Sequence, residues 1–155
     1  MTVKPIPDGY RTVTPYITVK GAARALEFYR KAFDAEVTLR LTMPGDQIAH
    51  AEIRIGDSMI MLSDEWPDLD KLSPVTRGGA TGGIALYVDD ADAWFKRAVD
   101  AGATVSQPLQ DQFYGDRTGS VTDPFGHFWT LATHKEDLSE AEMQQRMDAM
   151  MQQQG

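Results

Sequence analysis

A chain that repeats its own punctuation at a fixed interval builds the same unit twice, and this one does so at about 69 residues. Val19-Lys20-Gly21-Ala22 aligns with Val88-Asp89-Asp90-Ala91, and Asp34-Ala35-Glu36-Val37 with Gly102-Ala103-Thr104-Val105. Each unit also ends in a hairpin. In the first, Ile48–Ile55 turns through Gly56-Asp57-Ser58 into Met59–Ser63. In the second, Gly119–Thr122 turns through Asp123-Pro124-Phe125-Gly126 into Phe128–Thr133, with Pro fixing φ and Gly supplying the positive φ of a tight reversal.

The rest of each unit follows from periodicity. Thr12–Val19 reads as a strand with Thr14, Tyr16 and Thr18 on one face and Ile17 and Val19 on the other. Gly21–Phe33 reads as a helix with the stripe Ala22, Ala25, Leu26, Tyr29, Phe33. Glu36–Met43 is a second strand, and on Ile48–Ile55 the residues Ala49, Ala51, Ile53 and Ile55 oppose His50, Glu52 and Arg54. The second unit repeats this order: strand Gly83–Val88, a helix capped by Asp89 or Asp90 with the stripe Ala91, Trp94, Phe95, Ala98, Val99, a C′ glycine at Gly102, strand Thr104–Leu109, then the hairpin. The division is therefore a β-α-β-β-β module at 12–64, a linker at 65–82 rich in Pro, Gly and Asp, a second module at 83–134, and a tail at 135–155. Ser139 with Glu142 and Leu138 with Met143 have capping-box and staple spacing, so the tail holds a helix whose soft stripe is Met143, Met147, Met150 and Met151.

Composition removes several functions. No cysteine is present, which excludes disulfide frameworks, thiolate metal sites and cysteine nucleophiles. A net charge of −8 opposes binding to phosphate backbones, so nucleic acid is not an expected partner. No apolar run spans a bilayer and the N-terminus lacks an apolar signal region, so the expectation is a cytoplasmic protein without a membrane partner. Neither a P-loop nor a G-x-S-x-G elbow occurs.

PYITVKGAARALEFYRKAF, HAEIRIGDSMIMLSDE and YGDRTGSVTDPFGHFWTLATH together resemble the vicinal oxygen chelate superfamily, that of glyoxalases, bleomycin-resistance proteins and extradiol dioxygenases, and within it the PhnB-like branch. The resemblance implies an α+β fold of two tandem βαβββ modules, with curved mixed sheets around a cavity, helices outside and here an extra C-terminal helix. It also implies four metal-ligand positions, which fall at Thr14, Met61, Gly83 and Thr130. None of these is an ordinary ligand for Zn, Ni, Fe or Mn. The expected protein binds a small organic molecule in the sheet cavity, without the superfamily's metal and with no other cofactor, and forms a homodimer whose modules pair within one chain or swap between two. If it is an enzyme, it is a lyase or dioxygenase of the glyoxalase type.

The residues expected to line the cavity are Tyr16, Thr18, Met59, Met61, Tyr87, Asp116 and Thr130, with Tyr114 as a hydrogen-bond donor and Arg117 as a partner for an anionic substrate. Each has a plainer reading: the aromatics and Met fill a core, and Arg117 braces its loop. His50 and Glu52 share a strand face and are the candidates for a relocated metal site or a general base, against the reading of a satisfied polar pair. His127 in the hairpin turn reads as turn-stabilising, and His134 as part of the C-terminal connection. A third reading makes the chain a dimeric interaction protein that docks through the Met-rich helix.

Overall fold

A computed structural model describes residues 2–155. The first module runs β1 (Tyr16–Val19), α1 (Ala22–Phe33), β2 (Glu36–Thr42), β3 (Ile48–Ile55) and β4 (Ser58–Asp64). A 3-10 turn (Pro67–Leu69) and the short α2 (Pro74–Arg77) lead into β5 (Gly83–Tyr87), α3 (Ala91–Ala101), β6 (Thr104–Asp111), β7 (Asp116–Thr122) and β8 (Phe128–His134). The chain closes with α4 (Glu140–Gln153). The strands form two separate mixed sheets of like order, β1-β4-β3-β2 and β5-β8-β7-β6. In each, the first and last strands of the module pair in parallel and the others antiparallel.

The repeat extends to how each helix begins. Asp64, at the end of β4, accepts from Gly21 N (3.0 Å) and Ala22 N (2.8 Å), satisfying free donors at the start of α1. At the matching place on β8, Thr133 accepts from Ala91 N (2.8 Å) at the start of α3. Asp90 adds the N-cap bond to Ala93 N (3.0 Å).

β1 begins at Tyr16 rather than Thr12, because Pro15 has no N–H to extend the ladder; its carbonyl still accepts from Met61 N at 2.9 Å. The stretch 65–82 contains ordered turns. Glu65 accepts from Ser73 N (2.9 Å) and Ser73 Oγ (2.6 Å), and Ser73-Pro74 starts α2 as N-cap and first helical residue.

Each helix covers one face of its own sheet, burying Ile17, Val19, Ile53, Ile60 and Leu62 beneath α1 and Val121, Trp129 and Leu131 beneath α3. Phe95 of α3 sits so close to β7 that a Cβ on Gly119 would lie 2.8 Å from its ring. The modules meet where α1 packs on α3. There Tyr29, Phe33 and Trp129 are fully buried in one aromatic cluster, with the Phe33 and Trp129 centroids 4.5 Å apart. Each such side chain contributes roughly 1.5–3 kcal/mol by leaving water. Asp123 of the DPFG turn pins the junction: one carboxylate oxygen accepts from Tyr29 Oη (2.7 Å) and Trp129 Nε1 (2.8 Å), the other from Phe125 N and His127 N (both 2.9 Å). Arg97 of α3 donates to the carbonyl of Lys31 (2.6 Å), near the end of α1.

α4 has the capping box of Ser139 and Glu142 but buries no residue, and Arg146 ties it to Glu136 at 2.7 Å. Among the described residues no helix is long and apolar enough to cross a membrane.

Candidate functional site

With one face of each sheet covered by a helix, chemistry falls to the opposite, open face. Strand register sets its rows. In the first module Tyr16 is opposite Met61, Met61 opposite Glu52, and Glu52 opposite Leu39. His50 stands beside Leu41 in the next row, and Met59 beside Arg54. Tyr16 is 44% exposed although it sits on a strand, so the chain covers this face only in part.

These residues form a hydrogen-bonded chain. His50 Nε2 lies 3.1 Å from Glu52 Oε1, and His50 Nδ1 lies 2.8 Å from Tyr16 Oη. Tyr10 reaches over from the N-terminal arm; its buried hydroxyl falls short of full hydrogen-bonding geometry, and burial, then the Glu52 carboxylate, push it up to about 12. The contact with Tyr10, then that with His50, hold Glu52 below the usual carboxylate range; of the two, the His50 contact meets hydrogen-bond geometry. An ionised Glu52 only accepts, so His50 donates to it through Nε2, and Nδ1 meets the Tyr16 hydroxyl. Lys71, from the segment after β4, places its ammonium 4.3 Å from the Tyr16 ring centroid.

The second module's open face is hydroxylic. Ser120 and Thr130 share a hydrogen bond (2.9 Å), and Gln112 donates to Thr118 (2.9 Å). Asp116 is buried, accepts from Tyr87 Oη (2.5 Å) and faces His134 Nδ1 (2.7 Å), while His134 Nε2 faces Asp137 (2.8 Å). Asp116, by its hydrogen bond first, raises the Tyr87 phenol above its ordinary value, so Tyr87 stays a neutral donor. Two carboxylates, Asp137 first, raise His134.

The open faces thus gather Tyr16, Thr18, Met59, Met61, His50 and Glu52 in one module and Tyr87, Asp116 and Thr130 in the other. Arg117 lies on the opposite face of β7, its guanidinium donating to both Asp92 oxygens (2.6 and 2.8 Å) and to Asp111 (3.2 Å). Tyr114 sits in the turn before β7, half-buried, its ring 5.2 Å from that of Phe113. His127 Nε2 lies 2.8 Å from the Thr18 carbonyl and so braces the DPFG turn against β1. Sequence reasoning missed Tyr10 and Lys71. Both lie in irregular segments, where no periodicity assigns a side chain to a face.

The superfamily's metal does not fit the residues present. Thr14 precedes β1, and Gly83 pairs with Phe128 so closely that a Cβ there would lie 2.8 Å from the Phe128 ring and 3.0 Å from its carbonyl. A ligand side chain at 83 would thus require β8 to shift. Met61 and Thr130 offer a thioether and a neutral hydroxyl, poor donors for a hard or borderline divalent ion. Among the described residues no group of three or more His, Asp or Glu lies together in a form that would hold a metal.

Comparison with known proteins agrees with this architecture. The profile of the Glyoxalase/Bleomycin resistance protein/Dioxygenase superfamily matches residues 11–131, and the chain belongs to that superfamily. It is 41% identical over 140 residues to an uncharacterized protein of Mycobacterium bovis, covering 88% of this chain and 92% of that one. The crystal structure of TioX from Micromonospora sp. ML1 is similar at 29% identity and a TM-score of 0.62, over 80% of this chain and 98% of that one. The fosfomycin resistance protein FosX from Mesorhizobium loti shares the fold at 18% identity and a TM-score of 0.60, over 84% and 96%.

Proposed function

We propose that this protein binds a small organic molecule on the open sheet faces and does so without the superfamily's metal. The observation that carries the reading is the first module's face. There an apolar wall of Met59, Met61, Leu39 and Leu41 surrounds a fixed polar group, the Tyr16–His50–Glu52 chain. A mostly apolar surface with a few oriented polar groups is what small-molecule sites share. A second copy of the chain completes the site, one protomer's first module facing its partner's second. Tyr16, Leu41 and Tyr87 are exposed on these faces, and Tyr87 is 67% so, more than a large aromatic on a finished surface calls for.

The test is thermal stability of chelator-treated protein against a panel of flat aromatic compounds, with molar mass from light scattering. A ligand at about 100 times its Kd stabilises by about 2.7 kcal/mol, a shift of several degrees. At least one compound raises Tm, Tyr16→Ala removes the rise, and the mass is that of a dimer. A Tm unmoved by the whole panel, or a rise that survives Tyr16→Ala, contradicts the binding assignment. A monomeric mass with ligand bound contradicts the dimer alone.

A further inference from the structure

Resting on that binding reading, we infer that the molecule held by the first module is a small organic anion, gripped by Lys71 and Tyr16, and that its arrival draws a proton onto His50.

Two arguments carry this. The first is the ammonium of Lys71. Lys71 as a residue is half-buried with its ammonium over the Tyr16 ring, and among the described residues no carboxylate lies within ion-pairing distance of it. The chain's charge is −8, so a cation left without a partner beside an apolar wall stands out as a place for an external anion. Lys71 is held in place by its backbone, bridged to Trp66 by N–H···O bonds of 2.8 and 3.1 Å.

The second is the direction of the hydrogen bonds. With Glu52 ionised, Nε2 of His50 donates to it, and we assign the Tyr16 hydroxyl proton to the bond with Nδ1. Tyr16 then has only its oxygen lone pairs to offer an incoming anion. An anion entering the space beside Lys71 meets attraction from the ammonium and repulsion from the phenol oxygen. Protonation of Nδ1 removes the conflict. The imidazolium donates through Nε2 to Glu52 and through Nδ1 to the Tyr16 oxygen, and the phenol proton swings outward to the anion. The proton comes from solvent, and no bond other than this N–H is made. The groups facing His50 are Tyr16 from β1, Glu52 from β3, Tyr10 from the arm and Lys71 from the segment after β4. Arg54 and Glu36, further along the face, pair with each other.

Isothermal titration calorimetry tests this with 2-naphthoate and its neutral isostere 2-naphthamide. Both are run near neutral pH in two buffers of different ionisation enthalpy. The inference expects the acid to bind about tenfold or more tighter than the amide, the effect of losing one charge-assisted pair. It expects Lys71→Met to erase that preference and Lys71→Arg to keep most of it. The acid's heat should depend on the buffer by up to one proton taken up, its affinity should fall as pH rises, and His50→Gln should abolish the buffer dependence. Equal binding of acid and amide, or a preference that survives Lys71→Met, overturns the anion assignment while leaving the binding reading intact. A preference with no proton uptake overturns the role of His50. Binding of neither compound, with none from the wider panel, overturns the binding reading as well.

Discussion

Asp123 is the residue on which the two modules depend. Its carboxylate serves two side chains and two backbone donors, all buried or nearly so, and it is itself only 4% exposed. Asp123→Ala leaves Tyr29 Oη and Trp129 Nε1 without an acceptor, at about 1–3 kcal/mol for each orphaned group. Urea denaturation should show a loss of about 3 kcal/mol or more, with Asp123→Asn losing less because it still accepts; a loss under about 1 kcal/mol would mean the pin is dispensable. His134 makes a pH-dependent contribution. Asp137, then Asp116, raise its folded-state value above the ordinary one, so its stabilisation is fully present below about pH 6.5 and fades as pH rises through the raised value. It is half-exposed, so the decline in Tm is shallow. His134→Gln should flatten the curve over this window, and an unchanged curve would assign the slope to other groups.

At the scale of elements, α3 packs closely on β7. Gly119→Ala places a methyl 2.8 Å from Phe95 and 2.9 Å from Leu109, so overpacking should cost about 1–3 kcal/mol by thermal or chemical denaturation. A stability within about 0.5 kcal/mol of the native chain would show that α3 shifts freely. Most elements were legible in the sequence because their signals are local. The stripe Ala22-Ala25-Leu26-Tyr29-Phe33 is buried along its whole length, Asp34 ends α1 with φ 54°, and Gly102 ends α3. The alternation on β3 placed His50 and Glu52 on one face. Parity alone left Arg117 open to two readings. On β7 it alternates with Asp116, and only the fold reveals that Asp92 of α3 waits on that side. Tyr10 and Lys71 were illegible for a different reason: an irregular segment is aimed by tertiary contacts, and these have no period.

For the whole molecule, the duplication yields two sheets of the same order that have diverged in what they present. The first offers a phenol, an imidazole and an unpaired ammonium among apolar side chains; the second offers hydroxyls around Asp116. α1 and α3 are used in joining the modules, and Tyr16 on one open face and Tyr87 on the other stay exposed. The direct measurement is an amide-resolved NMR titration of chelator-treated protein with the tightest compound of the panel. The account predicts saturable shifts confined to the open faces, around Tyr16, His50, Met61, Tyr87 and Thr130, in the absence of metal. Shifts confined to α4 and its methionines, or binding that appears only when a divalent metal is restored, would contradict it.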